Sequence, residues 1–485
     1  MGSTTAAELL DNLIGGQPVA AETDETLDVL DPATGEALAR VPLSGAADVD
    51  RAARVAHEAW PEWADTPVPE RARLMFRLQQ LYEEHFEELA EICTRENGKG
   101  IDESRGEVRR GLEVIEFAAG MPTLLQGTAL EQVSRGIDTE LFRTPLGAVA
   151  AITPFNFPVM VPLWTIPIAI AAGNTFVLKP SQRTPLSSLK LAELLEEAGC
   201  PPGVFNVVHG AEEAVNALCD HELIRAVSFV GSAPVARHVY ARCATAGKRV
   251  QALAGAKNHI VVMPDADLDL AVPGLFSSAF ANAGQRCLAA SVGLAVGDVA
   301  DELAERLAQT ARESKVGPGL DPENAITPVT TAEARKRIGD YIELGIEEGA
   351  RLLVDGRMDT DGGFFLGPTI LDDVRPEMRV AQEEIFGPVL SLERVSSLHE
   401  ALETIARNEF GNATAIFTRD GGAAREFRRR VTAGMVGINI PVPAPMAFLP
   451  FAGWKGSFFG DLHATGMDGV RFFTETKVVT TRWPA

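Results

Sequence analysis

Hydrophobic residues fall first at helical and then at strand spacing along this chain. Ala47 to Ala64 puts Val49, Ala52, Ala53, Ala56 and Trp60 on one face, which predicts a helix. Arg71 to Asn97 reads as a longer amphipathic helix, with Leu74, Leu78, Leu81, Phe86 and Leu89 as its buried stripe. Gly98 is the expected C-terminal stop, and a third helix is expected over Ile101 to Ala119. From Leu146 short apolar runs take over. Gly147–Ile152, Thr175–Leu178, Phe205–Val208 and Ala226–Val230 predict strands, separated by helices such as Ser187–Ala198 and Ala211–Leu218. That alternation predicts parallel βαβ units and an α/β sheet covered on both faces. A second α/β region is expected from about Asn258, opening with the strand His259–Met263 and running to about Phe448. Gln132 to Arg143 and the tail Phe472 to Arg482 predict strands outside the main sheets. Such strands need partners, which a second subunit would supply.

Composition narrows the function classes. The 485 residues suggest two to three domain units, and 44 basic against 67 acidic residues give a net charge of −23. This balance repels a phosphate backbone and disfavours nucleic acid as a partner. Five cysteines, Cys93, Cys200, Cys219, Cys243 and Cys287, contain no C-x-x-C pair. They argue against a disulfide framework or a zinc site and for a reducing, cytoplasmic setting. Met1 to Ala20 lacks the basic-then-apolar pattern of a secretory signal. The uncharged stretch Thr144 to Leu178 is long enough to span a membrane, but Pro145, Pro154, Pro158, Pro162 and Pro167 would break such a helix repeatedly. No membrane role is expected.

Candidate chemistry lies at strand ends. Thr153-Pro154-Phe155-Asn156-Phe157-Pro158, Leu178-Lys179-Pro180-Ser181 and Phe229-Val230-Gly231-Ser232 each close a predicted strand. In a parallel sheet the carboxyl ends form the binding crevice, so these loops should converge on one ligand. The plainer alternative is three ordinary loops. Gly284-Gln285-Arg286-Cys287 follows the small-residue run Ser277 to Ala283. A lone cysteine is usually a small buried hydrophobe. Here the cationic neighbour Arg286 would favour a thiolate, and the small residues would leave room for a substrate. His221-Glu222-Leu223-Ile224-Arg225 begins like a metalloprotease motif, but Arg225 replaces the second histidine, and no metal site is expected.

Together with Gly255-Ala256-Lys257-Asn258-His259 and Glu383-Glu384-Ile385-Phe386-Gly387-Pro388, these segments resemble the aldehyde dehydrogenase superfamily nearly from end to end. Within it, the Gly255–His259 run and Gly453-Trp454-Lys455-Gly456-Ser457-Phe458-Phe459-Gly460-Asp461 are most similar to the CoA-acylating methylmalonate- and malonate-semialdehyde dehydrogenases. The resemblance implies an α/β fold with a Rossmann-type cofactor domain (residues 1–130 and 147–252) and an α/β catalytic domain (253–450). It also implies small β oligomerisation strands (131–146 and 451–485) in a homodimer or homotetramer.

The resemblance also implies roles. Cys287 would attack the aldehyde carbon, and the Asn156 amide with the Cys287 backbone N–H would hold the oxyanion. Lys179 would bind the adenosine ribose and Glu384 the nicotinamide ribose, while Thr153, Phe155, Ser232, Ala254 and Phe386 would line the dinucleotide. Arg110 and Arg286 would clamp a substrate carboxylate; without the resemblance, Arg110 reads as a solvated helix charge.

Two departures matter. Hydrolytic members read E-L-G-G-K where this chain has Leu253-Ala254-Gly255-Ala256-Lys257, so the carboxylate that would activate water is missing. A thiol co-substrate, CoA, does not need that base. The family usually also places Glu three residues after the Lys179 position, where this chain has Gln182 followed by Arg183. The expected cofactor is NAD, with NADP left open because Arg183 could pair with a 2′-phosphate. The expected reaction converts methylmalonate or malonate semialdehyde to propionyl- or acetyl-CoA, with NAD reduction and loss of CO2. The rivals are a hydrolytic NAD(P)-dependent enzyme giving a free acid, and a non-catalytic structural or binding protein on the same scaffold.

Overall fold

The computed structural model describes residues 7–359 and 362–484. The first six residues of the Met1–Ala20 segment lie outside that range. Two large sheets organise the chain. In the first, five parallel strands run in the spatial order Phe205–Val207, Thr175–Lys179, Ala148–Ile152, Ile224–Val230, Arg249–Leu253. Antiparallel edge strands close it, Asn12–Ile14 with Gln17–Val19 on one side and Phe458–Phe459 on the other. Its central strands are mostly apolar because helices bury both faces; Ala148–Ile152 and Thr175–Lys179 are buried at every position.

The chain order reverses beside Ala148–Ile152. Successive strands step one way to Phe205–Val207 and then the other way through Ile224–Val230. This is a topological switch point, and it opens a crevice at the carboxyl ends of Ala148–Ile152 and Ile224–Val230.

The second sheet has seven strands in the order Arg351–Val354, Thr369–Asp372, Val389–Val395, Ala290–Val296, Asn258–Val262, Ala413–Phe417, Met435–Ile438, all parallel to their neighbours except the first pair. Only residues 254–257 separate the end of Arg249–Leu253 from the start of Asn258–Val262. The carboxyl edge of the first sheet therefore meets the amino edge of the second. No helix among the described residues is long and apolar enough to cross a membrane.

Helix Ala46–Asp65 and helix Ile101–Ala119 stand where the periodicity puts them. The long helix Arg71 to Asn97 is instead two helices, Val68–Glu84 and Phe86–Asn97, joined at His85 with ψ of 16°. The apolar stripe passes from Tyr82 to Leu89 across this joint, so hydrophobic spacing carries no mark of it. The outlying strands also differ from expectation. Thr128–Ser134, Ile137–Pro145 and the tail Thr474–Arg482 pair with one another in a three-stranded antiparallel sheet. They thus find partners within the chain itself. Phe472 ends a short helix, Gly466–Phe472, and the tail strand begins only at Thr474.

Candidate active site

The loop after Ala148–Ile152 carries the first candidate group. Thr153 N–H donates to the Lys179 main-chain oxygen at 3.1 Å, which ties two strand-end loops together. The Phe155 ring meets Phe386 edge to face at 5.9 Å, joining this loop to the Glu383–Pro388 segment of the second sheet. Asn156 is buried, and its amide nitrogen donates to the Gln285 main-chain oxygen at 3.0 Å.

Cys287 follows a strained turn. Asn282 and Ala283 take left-handed φ values of 50° and 49°, and Gly284 follows at 69°. A Cβ on Gly284 would lie 2.1 Å from the Gly387 oxygen, so only glycine fits there. Beyond the turn, the Cys287 main-chain oxygen accepts from the amides of Asn258 and Asn412, each at 2.8 Å. Cys287 is thus fixed at the amino edge of the second sheet, facing the Asn156 loop.

Cys287, Arg110 and Arg286 line one cavity of about 410 Å³, together with Phe157, Trp164 and Phe451. Arg110 is half-buried and donates to Glu113 at 3.0 Å and to the Met446 sulfur at 3.0 Å. Arg286 donates through one terminal nitrogen to the Ser277 and Ser278 oxygens at 2.7 and 2.9 Å, and its buried Nε has no protein partner. Arg286 does not, however, produce a thiolate as expected. Burial pushes the Cys287 thiol up to about 12, the charge of Glu384 adds to that, and Arg286 opposes them only weakly. Desolvation outweighs a single cation.

Leu253, at the position of the hydrolytic carboxylate, is buried in the apolar cluster that also holds Leu288 and Phe451. Glu384 accepts from the Ala256 N–H at 2.8 Å, and a Cβ on Gly255 would approach its Oε2 to 2.9 Å. Burial raises the Glu384 carboxyl to about 7, with Lys257 opposing.

On the other side of the Thr153–Pro158 loop, Lys179 is buried, which lowers its ammonium to about 8. Its one hydrogen bond runs to Gln182 Oε1 at 3.4 Å. Arg183 turns instead toward Glu333, 3.9 Å away. Ser232 is the N-cap of the helix Ala233–Thr245, but its hydroxyl caps no backbone N–H and is exposed. Ala254 is buried beside this crevice. The crevice suits a dinucleotide, with a helix N-terminus for phosphate and a buried ammonium with a single long partner.

The aldehyde dehydrogenase family matches residues 19–479 of the sequence. The chain belongs to the aldehyde dehydrogenase family. It is 57% identical over 478 residues to malonate-semialdehyde dehydrogenase 1 of Geobacillus kaustophilus, covering 98% of each chain. It is 53% identical over 485 residues to malonate-semialdehyde dehydrogenase of Halalkalibacterium halodurans, covering 100% of each. Among solved structures, methylmalonate-semialdehyde dehydrogenase from Oceanimonas doudoroffii superposes with a TM-score of 0.97 at 48% identity, over 99% of each chain. A Sinorhizobium meliloti structure complexed with NAD, provisionally assigned to the same enzyme, gives 0.98 at 46% identity over 99% of each. The α/β architecture expected from the sequence is that of aldehyde dehydrogenases.

Several wall residues of this aldehyde dehydrogenase were not singled out by motif. Lys99 and Glu107 form a fully buried ion pair against the Asn156 loop. Glu107 sits on the same buried face of helix Ile101–Ala119 as Ser104, Val108, Gly111 and Leu112. A carboxylate on an apolar stripe was the available signal, since it demands a buried partner.

Proposed function

We propose that the chain is a CoA-acylating dehydrogenase that oxidises malonate or methylmalonate semialdehyde with NAD to acetyl- or propionyl-CoA and CO2. The observation that carries this reading is the shared cavity: Cys287, Arg110 and Arg286 all line the same 410 Å³. An aldehyde with a β-carboxylate matches that pairing. The carboxylate would meet Arg110 and Arg286 while the carbonyl meets Cys287. The relatives' names point the same way.

Cys287, once deprotonated, forms a C–S bond to the aldehyde carbon, and the carbonyl electron pair becomes an oxyanion. The second N–H of the Asn156 amide and the Cys287 backbone N–H receive it. NAD in the crevice supplies the hydride acceptor, with Lys179, Glu384, Ser232, Thr153, Phe155, Ala254 and Phe386 holding the dinucleotide. Thioester formation leaves Cys287 acylated. Leu253 stands where hydrolytic members carry the water-activating carboxylate, so the acyl group waits for the CoA thiolate, which attacks the carbonyl and expels the Cys287 sulfur. The carboxylate lies β to this thioester carbonyl. Its C–C bonding pair can pass into the carbonyl as CO2 leaves, and protonation of the resulting enolate completes the acyl group.

A panel of aldehydes with and without a β-carboxylate, assayed with and without CoA, tests the reading. Steady NADH production should require CoA and favour the carboxylated aldehydes. Undiminished turnover to free acid without CoA would replace it with the hydrolytic reading, for which Glu384, raised to about 7 near Cys287, is the available base.

The domain division given above, with a cofactor unit, a catalytic unit and oligomerisation strands, is part of the same proposal. Exposed Leu130, Val133, Phe142, Val478 and Trp483 on the three-stranded sheet and its end support self-association into a homodimer or homotetramer. Five unpaired cysteines support a reducing, cytoplasmic location.

A further inference from the structure

A buried ion pair is weak evidence for stability, because desolvating two charges cancels much of their attraction. The Lys99–Glu107 pair therefore asks for another reason. The two side chains are 1% and 0% exposed, and Lys99 Nζ donates to Glu107 Oε2 at 2.5 Å. The same ammonium donates to the main-chain oxygen of Asn156 at 2.6 Å and lies 4.3 Å from the centre of the Phe157 ring. Glu107 Oε1 accepts from the N–H groups of Val159 and Met160 at 2.8 and 3.0 Å. The Cys93 thiol donates to Oε2 at 3.4 Å. One step earlier, Asn97 donates to the Phe155 oxygen at 2.9 Å.

These contacts grip the loop on both sides of Asn156. Asn282 bridges the remaining gap, its amide reaching the Asn156 oxygen at 3.4 Å and the Gln285 oxygen at 3.5 Å. Peptide planes are rigid, so holding the Asn156 carbonyl and the N–H groups three and four residues on leaves its Cβ little freedom. The side-chain amide then lands on Gln285, two residues before the nucleophile.

We propose that the buried Lys99–Glu107 pair positions the oxyanion donor, fixing the main chain around Asn156 so that its amide is presented to Cys287. This rests on Asn156 serving as that donor. Burial opposes the charge on Lys99, but Glu107 beside it raises the ammonium overall, so Lys99 stays charged while it holds the loop. Both partners act on the oxyanion through Asn156 rather than by touching it, so they are positioning residues.

The test reads the NADH burst in a single turnover without CoA, using an aldehyde with a β-carboxylate. Lys99→Met removes the contact and leaves Glu107 as a buried unpaired charge, so melting temperature should fall as well as rate. Lys99→Met with Glu107→Gln removes that charge and should recover the melting temperature. The burst rate should stay down about 10²-fold in both, the scale of a 1 Å misplacement. NAD affinity and the rate of Cys287 alkylation should stay within about twofold of the parent. Adding Asn156→Ala to the double variant should cost nothing further, because both act on one group. A burst rate that recovers together with the melting temperature overturns the proposal, as does a further full loss on adding Asn156→Ala. If Asn156→Ala alone leaves the burst unchanged, the oxyanion assignment itself fails, a result distinct from either of those.

Discussion

The side-chain amide of Asn156, at a strand end of one sheet, donates to the main-chain oxygen of Gln285, two residues before Cys287 at the edge of the other sheet. One of its two N–H groups is spent on this bond, which leaves the second free for the developing oxyanion. Asn156→Ala should lower the single-turnover rate of NADH formation by about 10²–10³-fold, the usual cost of one oxyanion donor. Cys287→Ala should abolish it. Stopped-flow absorbance reads both, and a parental rate in the alanine variant at 156 would remove this residue from the chemistry.

Arg110 touches only Glu113 and Met446 through its terminal nitrogen, so its guanidinium can turn to a ligand at small cost. Arg110→Leu should raise KM for a β-carboxylate aldehyde about 10–100-fold, from the roughly 1.5–3 kcal/mol of a charged hydrogen bond. KM for a neutral aldehyde of similar size should hold. Equal losses for both substrates would argue against a carboxylate clamp.

Leu253→Glu restores a carboxylate at the position where hydrolytic members of the family carry one. Burial of the new group among Leu288 and Phe451 should cost stability by about 1–3 kcal/mol, seen as a lower melting temperature. In return, slow NADH turnover without CoA should appear, with free acid as product. Absence of any CoA-independent acid would show that more than this residue excludes water.

With its thiol raised to about 12 by burial, Cys287 in the ligand-free protein is protonated at neutral pH. Its alkylation by iodoacetamide should therefore climb about tenfold per pH unit from 7 to 9 and show no plateau in that range. Saturating NAD or substrate should shift this profile if ligands help to release the proton. Levelling-off near pH 7 without ligand would mean that Arg286 suffices after all.

Glu393, on Val389–Val395, is buried with neither carboxylate oxygen hydrogen-bonded, and burial raises it to about 7. A carboxyl raised above its unfolded value of 4.5 contributes stability that is fully present below pH 4.5 and lost as pH rises through 7. Glu393→Gln should therefore stabilise the protein by up to about 3 kcal/mol at pH 8 and by little at pH 5. Thermal melts at the two pH values check the sign; a gain that is larger at pH 5 would contradict it.

Local pattern and tertiary placement were legible to different degrees. Strand ends were readable because a buried parallel strand is an unbroken apolar run with polar residues at its carboxyl end, as in Ala148–Ile152 followed by Thr153. The kink at His85 was not, since one altered dihedral barely disturbs helical spacing. Nor were the partners of the outlying strands, because pairing between Thr474–Arg482 and Ile137–Pro145 joins segments more than 300 residues apart. In the site, Cys287 stood out by its neighbours, whereas Lys99 is a single cation after a glycine. Its role emerges only when Glu107 and the Asn156 carbonyl are brought to it. The effect of Arg286 on the thiol depended on depth of burial, which spacing does not encode.

Residues 254–257 carry the chain from the last parallel strand of one sheet straight into a central strand of the other. So short a tether has no slack. The crevice at the carboxyl edge of the first sheet and the amino edge of the second, where Cys287 is seated, are therefore brought together by one short stretch of backbone. On the proposed reading, the path of the hydride from the Cys287 adduct to the cofactor crosses this junction, so a change in the length of 254–257 alters the reacting distance itself.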